Sequence, residues 1–125
     1  MPSHTMRRIG YREVFPVGLG GMPISIDGRP DHADAIELIG RFIELGGNFI
    51  DTANVYCLDD EDLGHNERLI RDALPAVAER EAVMVATKGG MRRPGGRWIT
   101  DAHPDWLRSS CERSLRDLGV DRIDL

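Results

Sequence analysis

The alternation of short apolar runs with longer periodic stretches constrains this chain more than any other feature. Glu13 to Gly20 is rich in β-branched and aromatic residues and stops at a Gly-Gly-Met-Pro turn signal, which predicts a strand. Ile36, Ile39 and Ile43 then recur at i, i+3 and i+7 within Ala35 to Leu45, with Asp31 available as a cap before and Gly46-Gly47 after. That spacing predicts an amphipathic helix. Asn48 to Asp51 reads as a second strand ending in a carboxylate, and a polar stretch from Cys57 to His65 leads into a second helix whose Leu69, Ile70, Ala73, Leu74 and Val77 share one side. Pro75 interrupts or ends that helix, because proline lacks an amide donor and crowds the preceding turn. Ala82 to Thr87 is apolar throughout, as expected of a parallel strand covered on both faces, and it ends at Lys88-Gly89-Gly90. Met91 to Asp101 reads as a loop. Pro104 then stands at a first helical position ahead of Leu107, Cys111, Leu115 and Leu118, Gly119 closes that helix, and Val120 to Leu125 begins a fourth strand.

Such an order means parallel βα units joined by right-handed crossovers. An open doubly wound sheet and part of an eight-stranded barrel both fit. A dinucleotide-binding turn of the GxGxxG type fails, because Pro23 occupies the third glycine position after Gly18 and Gly20, and no GxxxxGK[ST] loop is present. The formal charge is −5, with no block of Lys and Arg, which argues against nucleic acid as a partner. No apolar run approaches the roughly 18 residues of a membrane span, and Met1 to Arg12 lacks the apolar core of an export signal. Cys57 and Cys111 stand in no metal-binding or disulfide pattern, so two reduced thiols, no metal site and a cytoplasmic location are expected.

Polar residues gather where strands end. Asp51 closes the second strand, Tyr56 follows five residues on, and Lys88 closes the third. In a parallel barrel the carboxyl ends of the strands share one face, where such folds place their chemistry. A phenol with a reference pKa of about 10 gives up its proton more readily beside a cation, and Lys88 can supply that cation with Asp51 as its counter-charge. Singly, Asp51 reads as a turn cap, Tyr56 as a packing residue and Lys88 as a solvated amine; their joint placement favours an acid that protonates a carbonyl oxygen while hydride reaches its carbon. Trp106 is expected to pack and Trp98 to pack or to line a substrate mouth. His65 is expected at the surface or in a cap, and Arg92, Arg93 and Arg97 in a solvated basic loop.

These residues lie in segments that resemble the aldo-keto reductases, NADPH-dependent TIM barrels. The matching stretches are Gly18-Leu-Gly-Gly-Met22, Gly47-Asn-Phe-Ile-Asp-Thr-Ala-Asn-Val-Tyr56, Gly64-His-Asn-Glu-Arg-Leu-Ile70, Ala86-Thr-Lys-Gly-Gly90 and Ser114 to Leu125, in the family's order. The resemblance implies Tyr56 as general acid, Lys88 and Asp51 as the residues that tune it, and a small aldehyde or ketone as substrate. NADPH would pass by Gly20, Gly21, Met22 and Asp51. Gly64 and Glu67 belong to the same pattern, though a helix-start role explains them equally well.

A whole barrel needs about 250 residues, so 125 residues correspond to the N-terminal half of a (β/α)8 barrel, with about three βα units plus the start of a fourth strand. The expectation is one partial reductase domain over residues 1–125, cut short before the rest of the barrel. The family's fourth catalytic residue, a His at the end of the fourth strand, is absent, and His4, His32, His65 and His103 fall in predicted loops or caps. Half a barrel exposes its outer strands and strips inner side chains such as Ile50, Val83 and Val85 of their opposite wall. Leaving several hundred Å² of apolar surface wet forfeits on the order of 10 kcal/mol. Self-association or docking through the strand edges would restore cover, and the alternative to an enzyme is a catalytically inert half-barrel acting as an assembly module.

Overall fold

The parallel core begins only after a small hairpin that the sequence pattern does not announce. The computed structural model describes residues 5–125, the side chain of Val77 excepted; expectations for Met1 to His4 and for that side chain lie outside the described residues. Strands β1 (Arg7–Ile9) and β2 (Arg12–Val14) pair antiparallel, with Ile9 opposite Arg12 and Gly10 at a φ of +58° in the turn. The single strand expected over Glu13 to Gly20 is therefore two. Pro16 cannot donate to a ladder, and the Phe15 amide bonds the Asn48 side chain at 2.7 Å, so the chain leaves β2 and re-enters a sheet at β3 (Leu19–Gly20).

A one-turn 3₁₀ helix at Met22–Ile24 leads to helix α1 (His32–Glu44), in which Ala35 and Ile39 are fully buried and Ile36, Phe42 and Ile43 pack around them. Asp31 occupies the N-cap position, with no side-chain bond to the helix amides. Strand β4 (Phe49–Asp51) follows, then helix α2 (His65–Ala73). Pro75 does end this helix, and Val77 opens a separate helix, α3 (Val77–Ala82). Strand β5 (Met84–Ala86) completes a three-stranded parallel sheet in the order β3, β4, β5, with Gly20, Asp51 and Ala86 in one row.

The expected loop after Lys88 contains a further hairpin, β6 (Met91–Arg92) and β7 (Ile99–Thr100), around a 3₁₀ turn at Pro94–Gly96. Helix α4 (Pro104–Leu118) starts on its proline and ends at Gly119, whose φ of +67° closes the helix in the left-handed region. Its buried face differs from the expected one. Ser110, Ser114 and Leu118 are buried, whereas Leu107 and Cys111 are exposed. Small serines bring α4 close to α2, and Asp117 on the same side meets Arg68 at 3.4 Å.

Strand alternation settles which residues face the helices. Leu19, Ile50 and Val85 share one row and, with Val83, belong to the core that α1, α2 and α4 cover. Ile50 and Val83 are thus fully buried beneath helices, contrary to the expectation that they would face a missing wall. Gly20, Asp51 and Ala86 take the opposite face. Val120 to Leu125 forms no strand: Leu125 accepts one bond from the Thr87 amide at 2.9 Å, but the Val85 amide goes to the Asp124 carboxylate rather than to backbone. A side chain standing in the ladder position prevents pairing there. The result is a partial α/β unit with a parallel sheet and no closed barrel among the described residues, and no described helix is long and apolar enough to cross a membrane.

Candidate active site

Asp51 is the last residue of β4, and the sheet delivers it to the carboxyl end beside Gly20 and Ala86. Its carbonyl accepts from the Gly21 amide at 2.8 Å, while the next amide, Thr52, donates to Ala86. Lys88 lies two residues past β5, and its ammonium donates to both Asp51 oxygens, at 2.8 and 2.9 Å, and to the Thr52 carbonyl at 2.7 Å. The Tyr56 hydroxyl reaches Asp51 Oδ2 at 3.4 Å, and Lys88 Nζ stands 5.0 Å from the centre of the Tyr56 ring. The three residues singled out from the sequence therefore meet. Lys88 and Asp51 are each about half exposed, so a small molecule can reach them from solvent. Burial pulls the Lys88 pKa down, but its bonds to Asp51 and the nearby Tyr56 hydroxyl outweigh burial and hold it above the ordinary lysine value.

The turn Gly20-Gly21-Met22 is held from behind by a buried polar network. Asn66 donates to the Gly21 carbonyl at 2.7 Å and to Ser25 Oγ at 2.8 Å, and accepts from the Thr52 hydroxyl at 2.6 Å. Ser25, Thr52 and Asn66 are fully buried, and the bonds tie the first turn of α2 to the segments that follow β3 and β4. A Cβ on Gly21 would lie 2.2 Å from Asn66 Oδ1, which explains glycine there. At Gly20 a Cβ would meet nothing within 4 Å, so bare backbone borders open space beside Asp51. The Gly20 to Met22 turn thus fits a flat group laid against the sheet end, with Met22 partly exposed at its rim.

His65 is half-buried and is not a cap: it opens α2 and its Nδ1 lies 2.7 Å from Ser25 Oγ. Burial, then the charge of Arg29, lowers its pKa below the ordinary histidine value. Glu67 is fully buried and accepts from the Thr87 hydroxyl at 2.8 Å, one residue before Lys88. Burial raises its pKa against the opposing influence of the nearby Ser114 and Thr87 hydroxyls. Apart from their place in the family-like segments, neither Glu67 nor the Thr52–Asn66–Ser25 network carries a sequence signal that separates it from ordinary helix-start and turn residues.

The basic loop expected to be solvated is only partly so. Arg97 is exposed, and Arg92 lies over the Trp106 ring while pairing with Asp101. Arg93 is buried. Trp106 packs as expected, with Nε1 bonded to the Met91 carbonyl, and Trp98 packs on Arg93 with 44% of its surface exposed. No group of three metal-ligating side chains occurs among the described residues.

Comparison with known proteins adds to this geometry. A model of the Aldo/keto reductase family matches residues 16–125. The 6-dehydroglucose reductase of Novosphingobium aromaticivorans is 37% identical over 123 residues, which is 95% of this chain and 39% of that protein. An uncharacterized oxidoreductase of Bacillus subtilis is 32% identical, over 95% of this chain and 37% of its own length. The holo form of an aldo-keto reductase from Bacillus halodurans superposes with a TM-score of 0.77 at 29% identity, over 97% of this chain and 38% of that one. The chain spans about two fifths of the length of these relatives.

Proposed function

Because this chain belongs to the aldo/keto reductase family, we propose that it carries the proton-donating part of an NADPH-dependent reduction of an aldehyde or ketone, within a partial reductase domain. The observation that carries the reading is the contact among Lys88, Asp51 and Tyr56 at the carboxyl end of the sheet. The cofactor, when bound, supplies hydride to the carbonyl carbon. Gly20, Gly21, Met22 and Asp51 are the residues that would hold it, and the open space over Gly20 supports that role.

Every other step belongs to side chains of this chain. Tyr56 donates its hydroxyl proton to the carbonyl oxygen as negative charge develops there. Its 3.4 Å bond to Asp51 is long, so a substrate oxygen competes for the proton at small cost. The phenolate left behind faces the Lys88 ammonium, whose charge stabilises it. Asp51 and the Thr52 carbonyl fix three donors' worth of direction on Lys88, so the ammonium need not reorganise when the phenol ionises. A proton from solvent then restores Tyr56 through the exposed side of the site.

Incubation of the purified chain with NADPH and a panel of aldehydes and ketones tests this, followed by the cofactor's near-ultraviolet absorbance. The reading expects NADPH loss in step with alcohol formation; no loss above that of a Tyr56→Phe chain counts against it. A second reading rests on the sheet edges. Among the described residues the outer side of β5 and the residue after it make one backbone bond, through Thr87, and β3 is a two-residue edge, which favours an assembly module that pairs with a second copy. A monodisperse monomer by light scattering, with a cooperative thermal transition, would count against that reading.

A further inference from the structure

Tyr56 sits on an irregular segment between β4 and α2, and a single buried side chain from the β6–β7 hairpin grips that segment. The Arg93 guanidinium donates to the carbonyls of Val55 at 3.1 Å, Cys57 at 2.7 Å and Leu58 at 3.3 Å, and to Gly96 of its own hairpin at 3.0 Å. Its backbone amide bonds Asp60 Oδ1 at 2.8 Å, farther along the same segment. Only 4% of Arg93 is exposed, and the Trp98 ring covers its guanidinium at 3.6 Å. The glycines of the hairpin turn make this possible: Gly96, at a φ of +80°, lies so near the Leu58 carbonyl that a Cβ would come within 3.1 Å of it.

Burying a cation is costly unless something replaces its water. Arg93 forms no ion pair among the described residues, so carbonyl dipoles and an aromatic face take that place. The thiol of Cys57 does not serve as its anion, because burial pushes it up to about 11 despite the nearby Arg93 charge. A planar fork with five donors can hold several carbonyls at once, which an ammonium cannot reproduce. Two of those carbonyls, Val55 and Cys57, bracket Tyr56 in the chain.

We propose that Arg93 is a positioning residue for Tyr56: its guanidinium, shielded by Trp98, fixes the backbone on both sides of the tyrosine so that the phenol meets Lys88 and Asp51. This rests on the reading of Tyr56 as proton donor, but its test does not depend on turnover. The chain has two tyrosines, Tyr11 and Tyr56, so labelling tyrosine with carbon-13 at Cζ gives two NMR signals, and a Tyr11→Phe chain assigns them. In the wild type, Lys88→Met shifts the Tyr56 signal. In Arg93→Ala the Tyr56 signal is expected to move toward that of exposed Tyr11 and to lose its response to Lys88→Met. A cooperative unfolding transition should remain, because the main core lies apart from this segment. Low, non-denaturing guanidinium should restore the response, and sodium chloride at equal ionic strength should not. A folded Arg93→Ala chain with the wild-type Tyr56 signal and Lys88 response overturns the proposal. If Arg93→Ala does not fold, Arg93→Lys decides: loss of the response supports the proposal and its retention overturns it. Absence of turnover with the wild-type response intact would instead count against the proton-donor reading alone.

Discussion

Glu67→Gln should make this protein more stable at neutral pH. The carboxylate is fully buried on α2, one oxygen accepts from Thr87 at 2.8 Å, and the other, with the Ser114 hydroxyl nearby, makes no bond of good geometry. Burial raises its pKa, so near neutral pH the folded chain must hold either an uptaken proton or a poorly solvated charge. Leaving a buried acceptor unsatisfied costs about 1–3 kcal/mol. Glutamine keeps an acceptor for Thr87 and turns an amide donor toward Ser114, so the expected gain is about 1–2 kcal/mol at pH 7. That corresponds to roughly 4–8 °C in Tm for a domain of this size, or about 0.5–1 M in the urea midpoint. The pH dependence has a fixed sign. Above the ordinary value of 4.5 the unfolded chain releases the Glu67 proton while the folded chain retains it, so wild-type stability falls as pH rises through this window. Glutamine has no such slope, and the gap between the two chains should close as pH falls toward 4.5. Urea unfolding of both chains at several pH values reads the difference directly. A glutamine chain that is less stable at pH 7, or a gap that does not change with pH, would refute the reasoning.

Gly21→Ala should lose about 1–3 kcal/mol of stability, because its Cβ would press into Asn66 Oδ1 and the Asp51 carbonyl, whereas Gly20→Ala should be nearly neutral in thermal unfolding. If the bare backbone at Gly20 borders the cofactor, Gly20→Leu should weaken NADPH binding, read by quenching of Trp fluorescence, without lowering Tm. His65 should titrate below 6.5 in a proton NMR titration, since its pKa is lowered by burial; the stability contributed by its neutral form is present above 6.5 and lost as pH falls through the lower folded value. A His65 midpoint at or above 6.5 would contradict its burial beside Arg29.

The order of βα units is legible because short apolar runs bounded by turn residues alternate with helical stretches such as the i, i+3, i+7 row of α1, and burial selects both. Asp51 and Lys88 were legible as polar residues at strand ends, and Tyr56 by its distance from Asp51. The β1–β2 hairpin is not, because Arg7-Arg8-Ile9 has a single apolar residue and no alternation, and only Gly10 marks its turn. The packing face of α4 is not legible because leucines suggest burial, while close approach to α2 selects Ser110 and Ser114 instead. Arg93 reads as part of a solvated loop for a similar reason. Its burial depends on carbonyls more than thirty residues away, which no local pattern encodes. Which face Ile50 and Val83 take is not legible either, since an apolar run such as Ala82 to Thr87 carries no alternation to orient it.

The most direct test of the proposed chemistry compares wild type with Tyr56→Phe at saturating NADPH and a fixed aldehyde. Removing a general acid typically costs about 10²- to 10⁴-fold in rate. The account predicts a fall of that size in the rate of NADPH oxidation with cofactor binding unchanged, and a Tyr56→Phe chain that turns over at the wild-type rate would contradict it.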